Sequence, residues 1–230
     1  MEKWLNQIIE GDCLQVMKEL PDKSVDSIIT DPPYGIDLQP QRGITQAIEG
    51  DKPQEARDLW AKFVPETYRI LKDNTASIFF ARWSEVWCKE ILEQYFTVKA
   101  CIVWVKNNFG IGYYTRPQHE FIWYCHKGKP PLPQTPQSDV WMEPKVLKPI
   151  HSCEKPTGLI ERAIGFASSE NSIILDPFLG SGTTAIAAHN TGRFFIGIEI
   201  EPKYCEIARK RLEQAQLQQT LFGGDDLCNN

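Results

Sequence analysis

The chain has 230 residues, 42% hydrophobic and 24% charged, enough to bury one core of ordinary size. A formal net charge of −5 excludes a protein that coats nucleic acid by bulk charge, and no apolar run approaches the roughly 18 residues of a membrane span. Seven cysteines, at 13, 88, 101, 125, 153, 205 and 228, form no C-x-x-C pair and no zinc-like spacing with histidine. The expectation is a reduced, cytosolic protein without disulfides, structural metal, export signal or membrane span.

In chain order, residues 5–10 predict a strand, followed by Gly11-Asp12. Residues 24–30 predict a second, which runs into Asp31-Pro32-Pro33-Tyr34-Gly35. Residues 36–53 read as irregular, 54–71 as helix, 76–81 as strand and 84–94 as helix. The strands at 99–105 and 120–126 are joined by a Gly- and Tyr-containing loop too short for a crossover helix, so they predict an antiparallel hairpin at a sheet edge. A Pro-rich irregular stretch, 127–150, precedes a helix at 157–167 and a strand at 172–176. After a Gly-rich turn come a helix at 182–190, a strand at 194–199 and a helix at 202–218, with a stop signal at Gly223-Gly224. This alternation predicts a single α/β domain: a doubly wound, mostly parallel sheet of seven strands with an antiparallel edge hairpin.

Two segments carry chemistry. Asp31 to Tyr34 sits at the carboxyl end of a predicted strand, where open α/β sheets bind ligands. A carboxylate at Asp31 and a carbonyl at Pro32 make two acceptors, which together can take both N–H bonds of an amino group and turn its lone pair outward. The prolines fix their own φ and restrict the residue before them, so that carbonyl is held before substrate arrives. The second segment, Asp176-Pro177-Phe178-Leu179-Gly180-Ser181-Gly182-Thr183-Thr184, is strand, Gly-rich turn and helix start. Gly180 and Gly182 permit close backbone approach to a ligand, and the new helix offers free N–H groups. Glu199 ends the next strand, where an acid accepts from both hydroxyls of a ribose. On these residues alone, a nucleotide-binding oxidoreductase stays open, as does a non-catalytic DNA-binding module, against which the intact Asp31 to Tyr34 segment argues.

Taken together, Asp31-Pro32-Pro33-Tyr34 and Asp176 to Thr184 resemble the catalytic and cofactor motifs of the amino-group DNA methyltransferases, which use S-adenosylmethionine. Gly11-Asp12, Trp104-Val105-Lys106, His119-Glu120-Phe121-Ile122 and His151 followed by Lys155-Pro156 extend the likeness over residues 5 to about 212. Catalytic motif first and cofactor loop last is the order of the permuted β group. The resemblance implies a Rossmann-like fold with a catalytic half (about 1–106), DNA-recognition loops (about 107–150), a cofactor half (about 151–217) and a tail (218–230). It gives Asp31, Pro32 and Pro33 the target amine and Tyr34 a stack on a flipped base. The methionine end of the cofactor falls to Asp176, Pro177, Phe178, Gly180, Ser181, Gly182, Thr183 and Thr184, and its ribose to Glu199. Asp12 is placed near its adenine, Ile198 and Ile200 offer apolar surface to that adenine or to the core, and Lys155 is placed near its carboxylate. A Pro-Cys nucleophile motif is absent, which argues against methylation of a cytosine ring carbon.

Within that family, Asp at the first motif position goes with adenine N6 and Ser with cytosine N4, so the resemblance favours adenine with cytosine N4 as the alternative. RNA or protein-glutamine methylation goes with Asn-Pro-Pro-Tyr and the unpermuted order. Residues 99–155 hold eight Lys/Arg against four acids, with aromatic side chains interleaved. Lys106, Tyr113, Tyr114, Arg116, His119, Lys127 and Lys129, together with Arg42 in the loop after the catalytic motif, are the candidates for contact with double-stranded DNA. No large recognition domain fits between 105 and 151, so a short recognition sequence is expected. Gln218-Gln219-Thr220-Leu221-Phe222 resembles the peptide with which bacterial proteins bind the replication sliding clamp. The family likeness also allows a homodimer and a bacterial or phage origin.

Overall fold

The structure is a computed structural model that describes residues 1–35, 52–82, 84–110, 114–132, 136–147, 149 and 154–222. Its strands are β1 (Gln7–Glu10), β2 (Ser27–Thr30), β3 (Thr75–Ala81), β4 (Thr97–Val105), β5 (His119–Lys127), β6 (Val140–Met142), β7 (Ile173–Asp176) and β8 (Phe194–Glu199). Its helices are α1 (Cys13–Glu19), α2 (Pro53–Ile70), α3 (Trp87–Leu92), α4 (Thr157–Ala167), α5 (Thr183–Asn190) and α6 (Pro202–Phe222). All eight strands join one sheet in the order β1-β8-β7-β2-β3-β5-β4-β6. Its strand pairs are parallel except those of β5 with β3 and with β4.

The period of two along the strands builds two cores. In β3, Ile78 and Phe80 face one side while Phe79 and Ala81 face the other. The first side is closed by α4, α5 and α6 through Leu159, Ile164, Ala187, Ala208 and Leu212. The second is closed by α1, α2 and α3 through Met17, Trp60, Phe63, Val64 and Leu92. Burying a side chain such as Phe79 or Phe80 contributes roughly 1.5–3 kcal/mol. In α2, Ala56, Trp60, Phe63, Val64, Thr67 and Ile70 are buried at helical spacing, and Pro53 starts the helix where its missing N–H has no partner to lose.

Two elements differ from expectation. An eighth strand, β6, lies within the stretch read as irregular. It is three residues long with only Trp141 buried, and its pairing to β4 makes it a strand. The β4–β5 hairpin is therefore antiparallel as expected but is not the sheet edge, which β6 occupies. The unanticipated α1 is capped by Asp12, whose Oδ1 accepts from Leu14 N at 2.7 Å. The five described cysteines are free, and no described helix is long and apolar enough to cross a membrane.

Candidate active site

Chain order reverses between β7 and β2, so the two chemistry-bearing loops leave neighbouring strands at the same edge. Thr30 Oγ1 donates to Asp176 Oδ1 at 2.8 Å and ties the loops together. Beyond Thr30, Asp31 is enclosed by charge: Lys155 Nζ donates to its Oδ2 at 2.5 Å, and the Tyr34 hydroxyl donates to its Oδ1. Lys155 also lies 3.3 Å from Glu120 Oε2 and donates to Tyr34 Oη at 3.3 Å. Glu120 Oε1 accepts from Lys106. Trp60 Nε1 donates to the Pro33 carbonyl at 3.1 Å, which fixes the plane of the loop from the buried side.

Burial pushes the Asp31 carboxyl above its ordinary range, and the Glu120 charge adds to this; Lys155 and Tyr34 oppose it. Burial acts on Glu120 in the same direction, but Lys155 and Lys106 together reverse it, so Glu120 lies below the usual range. Two part-buried carboxylates thus share the buried cation of Lys155.

The loop after β7 is rigidly built. Asp176 accepts from Thr184 Oγ1 at 2.6 Å and Phe178 N at 3.1 Å as well as from Thr30, and burial holds its carboxyl up at about 6. Leu179 lies on Gly197, where a Cβ would meet Leu179 Cδ2 at 2.6 Å. Glu199 accepts from Gly180 N at 2.7 Å and Glu201 N at 2.9 Å, and burial raises its carboxyl above the ordinary range. Arg211 of α6 donates to Ser181 O and Oγ at 2.8 and 2.7 Å and pairs with Glu154 at 2.6 Å.

The two glycines do different work. Gly182 has φ +89, and a Cβ there would lie 2.7 Å from Ala208 Cβ, so its close neighbour is α6 rather than a ligand. Gly180 has φ +56 with nothing within 4 Å of a built Cβ, which leaves open space above the loop. That opening lies beside buried Glu199, with the Asp12 cap and half-exposed Ile200 at the adjacent strand ends. An open glycine, a neighbouring buried acid and a helix start fit a nucleoside cofactor. Pro177, Ser181, Thr183 and Thr184 are buried, and Phe178 packs edge-on against Phe63 at 5.1 Å.

Other expected positions separate. Lys106 and His119 lie at the end of β4 and start of β5, on the edge that carries Asp31. Arg116 and Tyr114 are exposed in the connection between these strands, Arg116 donating to Gly110 O at 3.0 Å. Lys127 and Lys129 stand elsewhere. Because β5 runs against β3, Lys127 pairs opposite Thr75 at the far end of the sheet, on the order of 20 Å from Phe121 opposite Ala81. Its ammonium is buried and donates to the carbonyls of Tyr68 and Leu71, both at 2.6 Å. It holds the end of α2. Lys155 Nζ meets Asp31 and Glu120. Arg42, Tyr113 and His151 lie outside the described residues. Thr30, Trp60, Glu154 and Arg211 were not anticipated as site residues, and Glu120 was singled out only within the likeness at 119–122, as structural or functional alike. The one local signal was Glu120, an acid in an apolar strand, which requires a buried partner.

A doubly wound sheet with a proline-fixed loop at 31–34 and a Gly-rich loop at 176–184 beside one switch point is the architecture of the Rossmann-like methyltransferase class. The family model described as DNA methylase matches residues 25–210. The Escherichia coli (strain K12) protein named "Putative methylase YubD" is 34% identical over 215 residues, 92% of each chain. The crystal structure of the M1.HpyAVI-SAM complex is similar at TM-score 0.69 and 28% identity, over 90% of this chain and 98% of that one. The cytosine-N4-specific PvuII DNA methyltransferase shares the fold at TM-score 0.73 and 16% identity, over 94% of this chain and 93% of that one. The chain belongs to the DNA methylase family of amino-group methyltransferases, enzymes that take their methyl group from S-adenosylmethionine.

Proposed function

We propose that this enzyme methylates the N6 amino group of an adenine flipped out of double-stranded DNA at a short specific sequence. The observation that carries the reading is the position of Asp31-Pro32 at the end of β2, one strand from the Gly-rich loop after β7. S-Adenosylmethionine supplies, when bound, a methyl group activated by its sulfonium centre. The open face of Gly180 receives that cofactor, Glu199 offers its carboxylate to the ribose, and Asp12 and Ile200 border the adenine. Asp31 and the Pro32 carbonyl accept the two N–H bonds of the target amine and direct its lone pair. Trp60, by holding the Pro33 carbonyl, keeps the loop in that arrangement before DNA arrives. Tyr34 supplies the ring face for the base, and Arg116 and His119 contact phosphates of the duplex, while Lys106 is held by Glu120.

Adenine is favoured over cytosine by Asp rather than Ser at position 31, a family pattern; the fold is common to both, as the cytosine-specific neighbour illustrates. Sequencing genomic DNA for modified bases after expression in a methylation-free host tests target and site together. N6-methyladenine at one recurrent sequence is the expected result. N4-methylcytosine would move the reading to cytosine, and unmodified DNA beside folded protein would overturn it. We further propose that Gln218 to Phe222 binds the sliding clamp. Capture of the clamp by the full chain, lost on deletion of 218–230, supports this; no capture by the full chain refutes it. A homodimer rests on family likeness alone, and light scattering at a mass near twice 26.3 kDa is its check.

A further inference from the structure

The Asp31 site contains an arrangement that the transfer reaction by itself does not explain. Each oxygen of Asp31 accepts a hydrogen bond, Oδ1 from Tyr34 and Oδ2 from Lys155, so an incoming amine that draws on Oδ2 competes with the ammonium for the same oxygen. Lys155 is nearly excluded from water, with 7% of its side chain exposed against 20% for Asp31 and 15% for Glu120. A buried ammonium driven off its carboxylate needs another anion at once, because an unpaired buried charge is strongly unfavourable. Glu120 presents one. Its Oε1 is held by Lys106, while its Oε2 is buried, accepts no hydrogen bond among the described residues and faces Lys155 Nζ at 3.3 Å. The rings of Tyr34 and Phe80 flank the ammonium at 5.4 and 5.5 Å, so a short swing between the two carboxylates never leaves a favourable cation environment.

We propose that Glu120 is a positioning residue that receives Lys155 when the target amine takes its place on Asp31 Oδ2. The inference rests on the reading of Asp31 as the amine acceptor. Before DNA binds, Lys155 opposes the effect of burial on the Asp31 carboxyl and holds its Oδ2. During base entry the ammonium moves to Glu120 Oε2, and the site keeps the same net charge throughout. Lys106 fixes Glu120 so that this second position is ready. Among the described residues, the groups facing Asp31 are Lys155 from the segment before α4, Glu120 from β5, Tyr34 from its own loop and Asp176 from β7.

Two measurements test this. In the protein alone, carboxyl-carbon NMR of 13C-labelled aspartate follows Asp31. Its titration moves to lower pH in Glu120→Gln, which removes a like charge and leaves Lys155 undivided, and to higher pH in Lys155→Met. In steady-state methyl transfer at pH 8, Glu120→Gln removes the carboxylate that faces Lys155 at 3.3 Å, and kcat/KM for DNA falls by roughly tenfold or more, the scale of one charge-assisted hydrogen bond. Adding Lys155→Met to Glu120→Gln recovers part of that loss, because no cation then has to move. If Glu120→Gln does not fold, Glu120→Asp, which withdraws the carboxylate from Lys155, is read in the same cycle. An Asp31 titration unmoved by both changes, or a double variant no more active than Glu120→Gln, overturns the proposal. Absence of methyl transfer by the parent protein would instead refute the proposed function, with the NMR titrations still reporting on the shared cation.

Discussion

Thr30 and Asp176 join the ends of β2 and β7 through one buried hydrogen bond of 2.8 Å, 146 residues apart in the chain. Asp176 is thereby a strut between two loops, and it bears a cost. Burial lifts its carboxyl from 3.8 to about 6, against the opposing bonds from Thr184, Thr30 and Phe178 N, with the Asp31 charge adding to the lift. A carboxyl with its folded pKa above its unfolded one favours the folded state when protonated. The penalty for ionising it is absent below about pH 3.8, grows as pH rises through about 6 and reaches on the order of 3 kcal/mol above it. Asp176→Asn accepts from Thr30 and Phe178 N and donates to a rotated Thr184 hydroxyl without carrying charge. It is expected to melt several degrees above the parent at pH 7.5, with a smaller difference at pH 5, while cofactor affinity falls. Thermal melts at the two pH values check the sign; an equal offset at both would show that ionisation is not the cause.

Gly180 and Gly182 separate stability from ligand approach. Gly182→Ala forces a Cβ into Ala208 and strains a positive φ, so it should cost about 2–4 kcal/mol and lower Tm. Gly180→Ala meets no protein atom and carries only the left-handed penalty of about 1–2 kcal/mol, yet its methyl group enters the opening proposed for the cofactor. Calorimetric titration with S-adenosylmethionine should show the larger loss per kcal/mol of stability for Gly180→Ala. The reverse ranking would place the cofactor elsewhere.

What was legible in the sequence was local. Helix α4 was readable at 157–167 because Leu159, Ile160, Ala163, Ile164 and Ala167 repeat on one face. The loops at 31–35 and 176–184 were readable because proline and glycine encode backbone shape within a few residues. Strand β6 was not, since its three residues owe their form to hydrogen bonds with β4. Lysines gave the least. Lys127 and Lys155 look like any solvated lysine in the chain, and their buried partners stand 56 and 124 residues away, fixed by strand order alone.

Trp60→Phe keeps an aromatic ring in the cluster with Phe63 and Trp87 but deletes the donor to the Pro33 carbonyl. A part-buried acceptor left unpaired costs about 1–3 kcal/mol of stability. The acceptor loop then loses its fixed orientation, so kcat should fall while S-adenosylmethionine affinity stays unchanged, because the cofactor opening is one strand away. Single-turnover methyl transfer with saturating cofactor measures the first, and calorimetric titration the second. A fall in cofactor affinity matching the fall in rate would assign Trp60 a general structural role.

The basic side chains should divide by the end of the sheet they occupy. Arg116 is exposed beside the edge that carries Asp31, so Arg116→Ala is expected to weaken DNA binding and to reduce the slope of log affinity against log salt by about 1, whereas Lys106, ion-paired with Glu120, should leave that slope unchanged when replaced by Met. Lys127→Met acts differently: it leaves the carbonyls of Tyr68 and Leu71 without their donor and should lower stability by about 1–3 kcal/mol with the salt slope unchanged. Lys129→Ala, exposed at the same far end, should change neither quantity. Fluorescence anisotropy with labelled duplex at several salt concentrations, read beside chemical denaturation, distinguishes the groups. A reduced salt slope in Lys127→Met or Lys129→Ala would mean that DNA wraps to the far end of the sheet and that this surface is larger than the Asp31 edge.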